Sequence, residues 1–191
     1  MIQQLRTATL VLIALTFLTG GVYPVVVTAI AHVAFPTQAN GSLIQRGAQI
    51  AGSQLIGQAF SRPEYFWGRL SATAPFPYDA AASGGSNFGP LHPGLTEAAE
   101  ARLSALQAAG SAVKTVPVDL LTASASGLDP HISPAAAEFQ APRIAASRKM
   151  SEDAVRELIR QSTEGRQLGI LGEPRVNVLR LNLALDQHQM N

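Results

Sequence analysis

The sequence predicts a membrane-anchored α+β protein: one N-terminal transmembrane helix followed by a single mixed α/β domain outside the cytoplasm. Two observations carry this. Between Arg6 and Arg46 there is no Asp, Glu, Lys or Arg, and Thr7–Val33 is dominated by Leu, Val, Ile, Ala, Thr and Phe. Beyond it, short apolar pieces punctuated by glycine alternate with segments bearing helix caps and helical apolar spacing.

A hydrocarbon core of ~30 Å takes about 20 apolar residues at 1.5 Å rise each. Residues 7–30 meet that requirement and must close their own backbone hydrogen bonds as a helix. A soluble core helix would show a polar face, and this stretch shows none. A cleaved leader is the competing reading, because Ala29-Ile30-Ala31 resembles a small-x-small cleavage site. Against it, the apolar run exceeds the usual h-region. Arg6 and the α-amine flank one end, whereas the first cation on the other side is Arg46. Residues 1–6 are therefore expected in the cytoplasm and the rest outside. Thr16, Gly20 and Gly21 place small residues at helix-packing spacing. Gly20-Gly21 and Pro24 predict a bend.

The chain has 191 residues and no cysteine, which excludes disulfides and thiolate chemistry. With Arg6 set aside, the 14 Lys and Arg balance the 13 Asp and Glu. A neutral domain without a basic stripe argues against nucleic acid and anionic lipid as partners. Charged residues are 14% of the chain, below the ~25% of ordinary soluble domains, which fits a surface partly covered by a partner.

Phe35-Pro36 ends the apolar helix. Residues 31–41 form a linker closed by an Asn40-Gly41 turn, and the domain is placed at 42–191. Ser42–Phe60 reads as short strands and turns. Tyr65, Phe66 and Trp67 cannot all point one way, so they are candidate partner anchors or a satellite core cluster. Ser71–Leu95 reads as a long irregular stretch. At its centre Ser83, Gly84, Gly85, Ser86 and Asn87 form a tight turn whose N–H groups are a candidate anion nest. The G-x-x-x-x-G-K-S/T phosphate loop is absent.

Thr96–Ala109 is predicted as a helix capped by Thr96 and stopped by Gly110, burying Leu95, Ala99, Leu103 and Leu106. Val113–Leu121 reads as a strand, with Pro117 at an edge or bulge. Residues 122–134 form a polar hinge in which Ser126, Asp129 and His131 lie close in sequence. A nucleophilic triad draws its members from separate elements, and no G-x-S-x-G elbow occurs, so a turn is favoured over catalysis. Ser133-Pro134 starts a helix that Pro142 kinks or restarts toward Lys149. Gln140 near that kink is expected to pair with freed carbonyls, with ligand binding as the alternative. Ser151 caps a helix through Ser162 that buries Val155, Leu158 and Ile159. Val176–Leu185 fits a strand or a helix capped by Asn177, and the helix is favoured.

Several strings together resemble the small C subunit (KdpC type) of the Kdp potassium-transporting P-type ATPase. They are Thr19–Pro24 (TGGVYP), Asn40–Ile44 (NGSLI), Gly52–Phe60 (GSQLIGQAF), Tyr65-Phe66, Arg69, Ser71–Thr73 (SAT) and Ser83–Asn87 (SGGSN). Leu121–Pro134 (LTASASGLDPHISP), Val176–Leu179 (VNVL) and Leu181–Asp186 (LNLALD) complete the set. Leu70 departs from the family's Pro after Arg, and Leu91-His92 from its Ser-Asn. The resemblance implies a single-pass subunit of the cell (inner or plasma) membrane. Its implied partners are a channel-like potassium-binding subunit, an ATP-hydrolysing pump subunit and membrane lipid. It implies a non-catalytic assembly factor and catalytic chaperone that raises the pump subunit's ATP affinity, with no cofactor held firmly and ATP entering through the pump subunit. A direct nucleotide contact, if the chain makes one, is expected at Ser83–Asn87 and Gln140. The sequence holds no D-K-T-G segment and no T-V-G-Y-G filter, so hydrolysis and conduction are not expected of this chain alone.

Overall fold

The computed structural model describes residues 1–112 and 115–190. The chain divides into two compact units, Met1–Ala51 and Gly52–Asn191.

The first unit opens with α1 (Ile2–Phe17), a π-helical turn over Leu18–Val22, and α2 (Tyr23–Ala34). Together they make one continuous 33-residue apolar helix, Ile2–Ala34, longer at both ends than the 7–30 span read from composition. The wide turn lies where a bend was expected. Pro24 has no N–H to donate to Gly20 and its ring crowds that carbonyl, which a π turn relieves. The hydroxyls of Thr7, Thr9 and Thr19 donate to carbonyls four residues back, so the helix leaves few polar groups unpaired. No residue of α1 or α2 is buried. Phe35 breaks the helix at φ −138°, ahead of the single turn α3 (Pro36–Ala39). Strands β1 (Leu43–Arg46) and β2 (Gln49–Ser53) pair across a Gly47-Ala48 turn in which Gly47 has φ +62°.

In the second unit, α4 (Pro93–Ala108) starts earlier than Thr96. The His92 ring Nδ1 accepts from Gly94 N–H at 3.1 Å, and Pro93 takes the first position, where a missing N–H costs nothing. Of its predicted stripe only Leu106 is fully buried. The predicted strand 113–121 is not formed over its described part. Val113 and Lys114 lie outside the described residues, and Val118–Leu121 is the one-turn helix α5. There Pro117 fixes the extended entry and the Asp119 carboxylate accepts from Ser133 N–H at 2.8 Å.

A three-stranded antiparallel sheet in the order β3 (His131–Ile132), β5 (Arg175–Asn177), β4 (Thr163–Glu164) supports the helices. Helix α6 (Pro134–Arg148) is capped by Ser133, whose hydroxyl accepts from Ala136 N–H, as the sequence indicates. Pro142 does not restart it: α6 runs as one 15-residue helix with Pro142 inside it, ending at Lys149 in the left-handed region. Helix α7 (Glu152–Ser162) is capped by Ser151 and buries Val155 and Ile159. Both readings of 176–185 hold part of the truth. Val176 belongs to β5, and Asn177 then caps α8 (Val178–Met190) by accepting from Arg180 N–H. The core gathers Phe66, Trp67, Leu106, Leu120, Ile132, Ile144, Val155, Ile159, Val176, Leu181 and Leu185.

The segment from Arg62 to Leu70 crosses this core with almost no strand beside it, so its peptide groups must find other partners. Asn182 accepts from Phe66 N–H at 2.8 Å and donates to Phe66 carbonyl at 3.0 Å. Gln140 does the same for Trp67, at 2.8 and 3.1 Å. These amides imitate a neighbouring strand. Removing one leaves two buried peptide groups unpaired, at ~1–3 kcal/mol each. We therefore expect Asn182→Leu to destabilise the domain by about 2–5 kcal/mol in denaturant titration of the detergent-solubilised chain. A surface change such as Asp153→Asn should stay within about 0.5 kcal/mol.

Candidate functional site

Arginines complete the hold on the 62–70 segment. Arg143 donates to the carbonyls of Pro63 and Tyr65 and to Gln140 Oε1. Arg148 Nε donates to Glu64 carbonyl at 2.7 Å and its Nη2 pairs with Asp186 at 2.8 Å. Arg102 donates to Gly68 carbonyl at 2.7 Å and Leu120 carbonyl at 3.1 Å. The Arg102 and Arg143 guanidiniums lie 4.8 and 5.0 Å from the Trp67 ring centroid, within cation–π range. Burial, helped by the neighbouring Arg102 charge and partly opposed by Glu64, lowers Arg143 to about 10. Burial also lowers Arg102.

This geometry decides the three aromatics. Phe66 and Trp67 are buried core residues and so cannot anchor a partner, whereas Tyr65 keeps an exposed edge and donates to Asp186 at 3.3 Å. Gln140 is fully buried. Besides its bonds to Trp67 and Arg143, its amide nitrogen donates to Ala136 carbonyl, so its polar atoms are already committed. That carbonyl is not the one Pro142 frees, which belongs to Glu138.

The loops around Ser83–Asn87 and Ser124–Asp129 are stitched together. Gly84 N–H and the Ser83 hydroxyl both donate to Ser126 carbonyl, at 2.9 and 3.1 Å. The Ser71 hydroxyl donates to Gly127 carbonyl at 2.7 Å. Two glycines are required by this contact. A Cβ on Gly85 would meet Ala125 carbonyl oxygen at 2.7 Å, and one on Gly127, at φ +70°, would meet Gly84 carbonyl oxygen at 2.6 Å. One donor of the candidate anion nest is thus already used. Gly85 and Ser86 line a cleft of about 670 Å³ with Phe88, Leu95, Arg102 and Thr122, and Gln140 does not line it. The Tyr78 hydroxyl donates to Arg69 carbonyl at 2.6 Å, and burial pushes it up to about 12.

Ser126, Asp129 and His131 do not assemble as a triad. The Ser126 hydroxyl accepts from Leu128 N–H, and no hydrogen bond joins it to His131 among the described residues. Asp129 instead closes its own turn. Its Oδ1 accepts from His131 N–H at 3.0 Å and lies 3.2 Å from His131 Nδ1, while Oδ2 lies 3.5 Å from Arg69. Together with Asp119, Ser133 and Arg175 these groups line a hollow of about 630 Å³. Sequence reasoning missed Arg69, Arg102, Arg143, Arg148 and Asn182. No local pattern marks an arginine as a backbone clamp.

The fold is therefore that of an α+β domain preceded by a bare apolar helix, with no catalytic triad assembled and no metal-binding cluster among the described residues. Across residues 5–187 the chain matches the family model described as "KdpC: K+-transporting ATPase, c chain". It belongs to that family. A protein of Burkholderia vietnamiensis (strain G4 / LMG 22486) named "Potassium-transporting ATPase KdpC subunit" is 59% identical over 186 residues, covering 97% of this chain and 96% of the relative. One of the same name from Burkholderia pseudomallei (strain K96243) is 58% identical over 185 residues, 96% of both chains.

Asp129 gives a pH prediction. Burial pushes its carboxyl up, but the bonds and charge from His131 and the charge of Arg69 outweigh this and hold it below the ordinary 3.8. A carboxyl lowered in the folded state contributes stability that is present above the unfolded value and is lost as pH falls through the folded one. Melting temperature should drop on acidification below about pH 4. Asp129→Asn should flatten that acid limb, read by circular dichroism melts from pH 7 to pH 2.5.

Proposed function

We propose that the chain is a membrane-anchored, non-catalytic subunit of a potassium-transporting ATPase, and that it assembles and stabilises the complex. The observation that carries this is the bare apolar helix Ile2–Ala34. Side chains such as Leu10, Ile13, Phe17 and Val25 stand more than half exposed along it, and water is a poor solvent for such a surface. Lipid and neighbouring helices cover it. Residues 7–30 span the bilayer, 1–6 lie in the cytoplasm, 31–41 link, and 42–191 form the extracytoplasmic domain. The Arg6 side supports this orientation. The partners in this reading are a channel-like potassium-binding subunit and an ATP-hydrolysing pump subunit; the relatives' name, that of a subunit of a potassium-transporting ATPase, supports only membership of such a complex.

The same reading includes a chaperone effect on the ATP affinity of the pump subunit. With only a short N-terminus in the cytoplasm, that effect is a coupling carried through the membrane helices, by which the helix favours one state of the pump subunit. For a direct nucleotide contact, the cleft bordered by Gly85 and Ser86 is the available surface, since Gln140 is committed to the core.

Thr16, Gly20 and Gly21 form the proposed docking face. A Cβ on Gly20 meets nothing within 4 Å, and one on Gly21 makes only an ordinary 3.8 Å contact with Phe17. Gly20→Leu and Gly21→Leu are thus compatible with the helix itself and should act on neighbours. Co-purification of the potassium-binding and pump subunits with a tagged chain should fall severalfold, and unchanged recovery would count against helix docking. For orientation, the chain's lack of cysteine makes Asp153→Cys a single reporter. A membrane-impermeant maleimide should label it in spheroplasts without lysis. Labelling only after lysis would place the domain on the ATP side.

A further inference from the structure

Of the 16 residues of α4 only Leu106 is fully buried. Much of the helix instead borders the cleft of about 670 Å³. Ala98, Ala101 and Ala105 recur there at the spacing of one helix face. Leu95, Phe88 and Leu121 extend the apolar wall. Domain interiors are packed closely by side chains, and three alanines on one face keep this space open where longer side chains would occupy it. The volume falls within the about 300–1,000 Å³ of small-molecule sites, which pair an apolar lining with a few fixed polar groups.

Arg102 supplies the charge that identifies the occupant. No other Lys or Arg lines the cleft, and no Asp or Glu does. Its Nε and Nη2 donate to Leu120 and Gly68 carbonyls, whereas Nη1 makes no hydrogen bond among the described residues. Burial disfavours the guanidinium charge, and no carboxylate of the described residues pairs with it. A carboxylate brought from outside would take the open donor and offset that cost. A nucleotide triphosphate calls for several cations and would find one. The ring in the lining, Phe88, is already stacked on His92 at 4.6 Å, so an aliphatic body suits the walls better than a planar base. We propose that the cleft binds a free fatty acid, its carboxylate on Arg102 and its aliphatic chain along the alanine face of α4. The site lies wholly within this chain and does not depend on the subunit reading above.

The test uses the full chain in phosphatidylcholine nanodiscs. A diazirine analogue of decanoate is added, the discs are irradiated, and the labelled peptides are located by mass spectrometry. The expected adducts fall in residues 85–105 and 121–123. Excess decanoate should suppress them, whereas decanol, which lacks the charge, and magnesium-ATP should not. Ala101→Phe changes an exposed residue of the cleft wall and should lower this labelling about tenfold at an unchanged melting temperature. Ser104→Phe, exposed on α4 but outside the lining, should leave it as it is. Adducts confined to Ile2–Ala34, which report partition into lipid, would overturn the proposal, as would no adduct at all. Suppression by decanol as strong as by decanoate, displacement by magnesium-ATP, or full labelling of a folded Ala101→Phe would each overturn it too. Should Ala101→Phe not fold, the competition on the unaltered chain decides.

Discussion

Nine consecutive carbonyls, from Arg62 to Leu70, run through or along the core of the domain, and each accepts a hydrogen bond. Almost all the donors are side chains. Trp67 Nε1 reaches back to Arg62, and Arg143, Arg148 and Arg102 serve Pro63, Tyr65, Glu64 and Gly68. Asn182 and Gln140 serve Phe66 and Trp67 on both sides, and the Tyr78 hydroxyl closes on Arg69. Backbone N–H groups also contribute at the two ends, Tyr65 N–H to Arg62 carbonyl and Ser124 N–H to Leu70 carbonyl. A buried peptide group left without a partner costs about as much as a lost hydrogen bond, so this set of donors is what permits an extended segment in the core without a sheet.

That constraint ties the helices together. The donors come from α4, α6 and α8, which are distant in sequence, and each is held to the same short segment. It also explains why a domain with few charges buries or half-buries several of its arginines. Their charge is tolerable there because each of Arg102, Arg143 and Arg148 donates to at least one fixed carbonyl, although Arg143 Nε is buried with no hydrogen-bond partner, and Arg102 and Arg143 also lie over the Trp67 ring. A scaffold so committed leaves little for chemistry. The groups that sequence proximity made into a candidate triad instead fix one turn, and the glycines around Gly85 and Gly127 serve close packing between two loops. Contact surfaces are therefore sought on the bare helix and in the cleft beside α4.

Local chemistry made part of this legible. Ser133-Pro134, Ser151 and Asn177 announce helix starts by a physics confined to four residues, and the structure places caps at each. The absence of charge from Thr7 to Gln45 announces the apolar helix in the same way. The Asn40-Gly41 turn and the glycine-punctuated strands after it follow from backbone freedom. What failed depended on distant partners. Thr96 looked like a cap because His92 is not a usual one, yet its ring accepts the bond and Pro93 begins the helix. Val118–Leu121 lacks a strand partner and turns into a helix instead. Pro142 sits inside α6 because packing of that buried helix outweighs one lost bond. Phe66 and Trp67 stayed undecided between partner anchors and core because their amide partners, Asn182 and Gln140, are distant in sequence; both belong to the core. At the candidate site the sequence found the residues that form turns and singled out Gln140, but missed Asn182 and the arginines that hold the segment with it.

The central claim is that side chains lock the 62–70 segment as firmly as a sheet would. Residue-resolved hydrogen exchange of the Phe66 and Trp67 amides tests it directly. The account predicts protection equal to that of the buried middle of α6, with both amides exchanging only when the domain unfolds as a whole. Exchange at the rate of the exposed loop around Ser83 would contradict it.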